Sequence, residues 1–253
     1  MVIRVALCMV LFAAACPAQW KRYSESDEPG AVASPPAHDL GYFDLDPCSR
    51  NDEKERFGYC EPDGETQRWA RTRTNLRIVG KIGDFTIHEL EYFLDIGYPG
   101  PHLRSVLVET PGHVFHEIYL QESLSGVIFP TEILRAGQQP VIKVKWDDNG
   151  NYHIVYEKYF VILDGAAVLL DFGPAIRAAE KAVPMGDRTY QPMSEFNLKS
   201  LVYTIGTERL DANIGQKVAC CNGHISVPFR IEKGLVVAGR AEFVSGYFSG
   251  FDQ

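Results

Sequence analysis

From Ile225 onward, apolar and polar residues alternate one for one: Ile225, Val227, Phe229 and Ile231 are interleaved with Ser226, Pro228, Arg230 and Glu232. A period of two sorts an extended chain into two faces, which a helix of period 3.6 cannot do. The Glu232-Lys233-Gly234 turn returns the chain through Leu235, Val237, Gly239, Ala241 and Phe243, alternating with Val236, Ala238, Arg240 and Glu242. This reads as a hairpin with one buried face. Pro228, which has no N–H to give to a ladder, predicts that the first strand lies at a sheet edge.

The same punctuation recurs upstream. A strand over 141–146 turns at Asp148-Asn149-Gly150 into one over 152–163, and Asp164-Gly165 turns that into one over 166–172, making a three-strand meander. Further strands are predicted over 76–82, 85–95, 104–110, 114–121 and 198–205. Thr86 and Glu89 have the spacing of a helix capping box, but the Gly97-Tyr98-Pro99-Gly100-Pro101 turn favours pairing 85–95 with 104–110. One short helix, about 174–183, starts at Pro174 and stops before Pro184, with Ile176, Ala179 and Val183 toward the sheet. The expected fold is mainly β, an antiparallel β-sandwich or open barrel built from hairpins and meanders.

The N-terminus carries one charge, Arg4, then eleven uncharged residues (5–15), then small residues ending at Ala18. This is the pattern of a signal peptide (1–18) cleaved near Ala18, too short to span a bilayer, and it predicts a secreted or periplasmic protein. A cut before Cys16 is the alternative and would leave a lipid anchor there. Ala14 and Ala15 suit it, whereas Ala13 stands where lipoprotein signals usually have Leu. No transmembrane span is expected in what remains.

Composition changes next. Of the 57 residues from 19 to 75, 20 are charged, against 37 of the 178 that follow. Residues 19–39 include the Pro-rich run 25–36 and read as a flexible polar tether. Residues 40–75 read as a charged arm clipped by a disulfide, and 76–253 as a single β domain. The net charge of −8 without a basic run argues against nucleic acid as a partner.

Six cysteines become four if the leader is removed. Cys48 and Cys60 bracket a short loop whose closure would contribute about 2–3 kcal/mol. The adjacent Cys220 and Cys221 read either as buried or free thiols or, helped by Asn222-Gly223, as a vicinal disulfide. With His224 they supply too few ligands for a closed zinc site.

Pro111-Gly112-His113-Val114-Phe115-His116-Glu117 is the densest group of metal-ligand types. It resembles the first metal motif of the cupins, which implies a metal held by His113, His116 and Glu117. It departs from that motif because its histidines are three apart, so on a strand they face opposite ways, and no second motif follows. No Gly-x-Ser-x-Gly elbow occurs, and carboxylate pairs such as Glu89 with Glu91 read as solvated strand edges. Trp146, Tyr152 and Tyr156 share a hairpin and form a possible aromatic platform for a glycan or a protein. The sequence therefore favours an exported, non-catalytic binding or interaction module without a cofactor. A cupin-like or hydrolytic enzyme centred on His113, His116 and Glu117 is the alternative.

Overall fold

Four two-residue turns set the strand registers. Lys233 and Gly234 (φ 50° and 79°) and Asp164 and Gly165 (φ 49° and 75°) both have positive φ, the twist that matches flanking strands, while Gly83 and Gly137 open the other two at 58° and 62°. The structure, a computed structural model, describes residues 20–23, 37–44, 69–70, 76–94, 102–123, 127–147, 155–209, 221 and 223–246. In chain order these give α1 (Leu40–Asp44), β1 (Trp69–Ala70), β2 (Leu76–Ile82), β3 (Phe85–Leu94), β4 (His102–Glu109), β5 (Phe115–Ser123), β6 (Val127–Ala136), β7 (Gln139–Asp147), β8 (Val155–Leu163) and β9 (Ala166–Leu169). There follow α2 (Gly173–Lys181), β10 (Asp187–Asn197), β11 (Val202–Arg209), β12 (Gly223–Glu232), β13 (Leu235–Ala238) and β14 (Glu242–Ser245).

The fold is mainly β and antiparallel, as the alternation requires, with one sheet curled into a half-barrel. Three sheets follow one another along the chain. The first runs β3-β4-β5, with β1 and β2 on the far side of β3; the second runs β6-β7-β8-β9; the third runs β10-β11-β12, with β13 and β14 on the far side of β12. The second sheet is covered on both faces. Ile142, Val144, Trp146 and Phe160 pack toward the first sheet, whereas Val141, Tyr159 and Val161 pack with the third sheet and α2. Double coverage explains why Tyr159-Phe160-Val161 is apolar without alternation. In α2, Ala175 and Ala179 are the buried residues and Ile176 is only partly covered, as is Val183, which lies past the end of the helix.

Proline placement corrects the sequence reading. β6 and β10, which the alternation did not reveal, each contain a proline in a register shift: Pro130 between Phe129 and Glu132, and Pro192 between Tyr190 and Ser194. An irregularity is where a strand tolerates a residue without an N–H. Pro228 does not mark an edge, because β12 lies between β11 and the β13–β14 side. It sits where that side is interrupted, and there Gly239 N–H donates to the Pro228 carbonyl at 2.6 Å. A Cβ on Gly239 would lie 3.0 Å from that same oxygen. The predicted return strand is thus two short ones, and its buried residue is Val236, facing Ile231, whereas Leu235 is 65% exposed.

The stretch expected to be a tether enters the fold at both of its described ends. Tyr23 and His38 form backbone bridges to the edge of β5, and Arg22 and Tyr23 are buried. Phe43 of α1, 1% exposed, plugs the outer face of the first sheet. Residues 24–36, Cys48, Cys60, Tyr152 and Cys220 lie outside the described residues. Cys221 is buried and disulfide-bonded, with its partner outside them too. Among the described residues no helix is long and apolar enough to cross a membrane.

Candidate functional site

Three groups of buried polar side chains lie on the first sheet, and each can be built from its strands. The inner face carries Glu89 and Glu91 on β3, Arg104 on β4 and Gln121 on β5, since residues of the same parity share a face and Glu91, Arg104 and Gln121 are register partners. Opposite them, β6 slips at Pro130-Thr131 and leaves backbone groups without ladder partners. Arg104 donates to the Phe129 carbonyl at 2.5 Å, to the Lys145 carbonyl at 3.2 Å and to Gln121 Oε1. Thr131 N–H donates to Glu89 Oε2 at 2.7 Å, and Arg77 bridges Glu89 Oε1 and the Thr131 carbonyl at 2.8 and 2.9 Å. The charges thus satisfy the irregular backbone and one another, with Arg104 and Glu89 3.9 Å apart. Arg104 Nε and Gln121 Nε2 have no hydrogen-bond partner among the described residues. Glu91 is half-buried, and desolvation, then the neighbouring Glu89, raises its carboxyl above the usual range.

On the outer face, Glu109 lies between two imidazoles. His88 Nε2 is 2.7 Å from one carboxylate oxygen and His113 Nδ1 is 2.6 Å from the other. The hydrogen bond from His113, with a second from His88, holds the Glu109 carboxyl below its ordinary range. His113 is 85% exposed and takes φ +56° in the β4–β5 turn, whereas His88 is buried beside Phe115. The third group is Glu117, which accepts from Arg22 at 2.7 Å and from Ser105 Oγ at 2.5 Å.

The metal set expected from sequence does not assemble. His116 and Glu117 are neighbours on β5 and face opposite ways; His116 stacks on Trp20 at 4.6 Å, where burial lowers its proton affinity, while Glu117 is committed to Arg22 and Ser105. His113 is bound to Glu109, and among the described residues no three His, Cys, Asp or Glu are placed to hold a metal. Glu89 is not a solvated edge but one of the least exposed charges. Of the aromatic set, Trp146 is 6% exposed and stacks on Tyr156 at 5.3 Å and 15°, and Tyr156 keeps 40% of its surface open.

Arg22, His88, Glu89, Arg104 and Glu109 are the polar residues that periodicity did not single out. A signal existed for one of them: Arg104 is the sole Lys or Arg of a mostly apolar strand, and Pro130 sits in the strand it reaches. A buried charge on one sheet and a missing N–H on the sheet it reaches point to each other. No family model, curated protein or solved structure matches this chain, so its function is read from its own residues.

Proposed function

We propose that the protein is an exported, non-catalytic binding module whose ligand, a glycan, stacks on the aromatic step made by Trp146 and Tyr156. The half-open ring of Tyr156, held flat against a buried Trp146, carries this reading. Trp146 is fixed in turn by Tyr119, 6.2 Å away. A ring already held in place loses little freedom on binding, and its apolar face suits the C–H face of a pyranose. Export rests on the 1–18 leader pattern, and with it goes the expectation of a clip between Cys48 and Cys60, which an oxidising compartment would keep closed.

The test is a glycan array followed by calorimetry on the hits. Tyr156→Ala is expected to weaken binding at least tenfold while moving the melting temperature little, because the ring is largely outside the core. An array without hits, or hits that bind Tyr156→Ala as well as the parent, would overturn the reading. In that event a protein partner for the same ring is the next candidate.

A further inference from the structure

The outer face of the first sheet is closed by one short part of the chain. Leu90, Leu103, Leu107, Phe115 and Leu120 present an apolar surface, and Phe43 plugs it, with Tyr92 Oη donating to the Phe43 carbonyl at 2.6 Å. Along the edge of β5, Tyr23 N–H donates to Ile118 O and Leu120 N–H to Tyr23 O, both at 2.9 Å, while His38 and Phe115 exchange bonds of 3.1 and 2.8 Å. Between these bridges, Arg22 is latched to Glu117, the two side chains being 5% and 2% exposed.

Such a seat is selective. Lifting the strap off would leave the Glu117 carboxylate buried without its cation, an apolar face in water and a strand edge unpaired. The seat must then be refilled by an extended segment bringing an arginine next to an aromatic residue, with an aromatic plug further along. Residues 20–44 of a second copy meet each requirement by identity. The chain also has the reach: 24 residues, 45–68, separate Asp44 from Trp69. With the Cys48–Cys60 clip closed they span at most about 50 Å, against a width on the order of 40 Å for a compact chain this long.

We infer that the strap carrying Arg22, Tyr23, His38 and Phe43 is exchangeable, and that its seat on the first sheet also accepts the strap of a second copy, each body latched by the other's Arg22 in a reciprocal swap. The closed monomer and the swapped dimer contain the same contacts, so concentration during folding decides between them.

A charge-reversal pair tests this. Arg22→Glu alone sets two carboxylates together, and Glu117→Arg alone sets two guanidiniums together. When the two full-length variants are unfolded, mixed one to one and refolded concentrated, a reciprocal swap restores both ion pairs; closed monomers restore neither. The expected result is a heterodimer by light scattering whose melting temperature exceeds that of either variant refolded alone. A second measurement needs no variant. Unlabelled and ¹⁵N-labelled wild-type chains, refolded together at high concentration, should give a mixed-mass dimer in native mass spectrometry that is absent from non-reducing denaturing gels. Monomers alone in the wild-type experiment, or a mixture of variants no more stable than its components, would overturn the proposal.

Discussion

Arg104 of β4 donates to the carbonyl oxygen of Phe129 on β6, 2.5 Å away, at the residue where Pro130 breaks the β6–β7 register. One residue's missing N–H thus accounts for another's buried charge. The guanidinium crosses between two sheets and serves carbonyls on two strands of the second, while Glu89 on its own sheet answers the freed Thr131 N–H. A charged group at 0% exposure is tolerated because two of the hydrogen bonds it donates go to carbonyls at the register shift.

Arg104→Met is therefore expected to cost about 3–5 kcal/mol in urea unfolding, since it strips the bulge and leaves Glu89, among the described residues, with the half-exposed Arg77 as its cation. Arg104→Lys should recover little of this, because one ammonium cannot reach Phe129, Lys145 and Gln121 together. A loss below about 1 kcal/mol for Arg104→Met would contradict the account.

Glu109 predicts a signed pH dependence. Its two imidazole partners depress the folded carboxyl below its unfolded value of about 4.3, so its stabilisation is present above that value and is lost as pH falls through the folded one. Glu109→Gln should lower the melting temperature at pH 7 and have a much smaller effect at pH 3. Equal losses at both would assign the effect to shape rather than charge.

For Glu91 the sign is reversed. Burial, then repulsion from Glu89, raises the folded carboxyl, so holding it ionised costs stability once the pH exceeds the unfolded value. Glu91→Gln should raise stability at pH 7 by about half a kcal/mol, discounted because the group is partly solvated, or about 1–2 °C. The gain should vanish below about pH 4. A drop in melting temperature at pH 7 would show that the carboxylate's attraction to Arg104 and Arg77 wins instead.

Cys221 should be absent from the free thiols of the oxidised, denatured protein, and Cys221→Ser should cost about 2–4 kcal/mol. A non-reducing peptide map names its partner. A link to Cys220 makes the bond vicinal, and a link to Cys48 or Cys60 removes the proposed Cys48–Cys60 clip. Quantitative alkylation of Cys221 without reductant would rule the bond out.

Strand identity was legible wherever one face is buried and the other wet. Ile225, Val227 and Phe229 announce β12 through alternation alone, and Asp164-Gly165 and Lys233-Gly234 announce their turns through the need for positive φ. Alternation failed where both sets of residues are apolar. Nothing in Leu235-Val236-Val237-Ala238 says that Val236 is the inward one; the register of the tight turn decides it. It failed also at β6 and β10, whose Pro130 and Pro192 sit in register shifts. The candidate site was less legible still. His113, His116 and Glu117 looked like one constellation because they are close in sequence, yet on an extended chain neighbours point apart.

The residues of this chain, taken alone, determined that it is built of antiparallel hairpins, because side-chain period and turn geometry are local properties. What only the tertiary structure decided is which distant groups meet: Arg22 with Glu117, Arg77 with Glu89, Arg104 with the carbonyls freed by Pro130. Those pairings depend on how one sheet lies over another and on where the N-terminal strap comes to rest. Burial then turns them from weak surface charges into obligatory partners, because a lone polar group between sheets has no water to answer it.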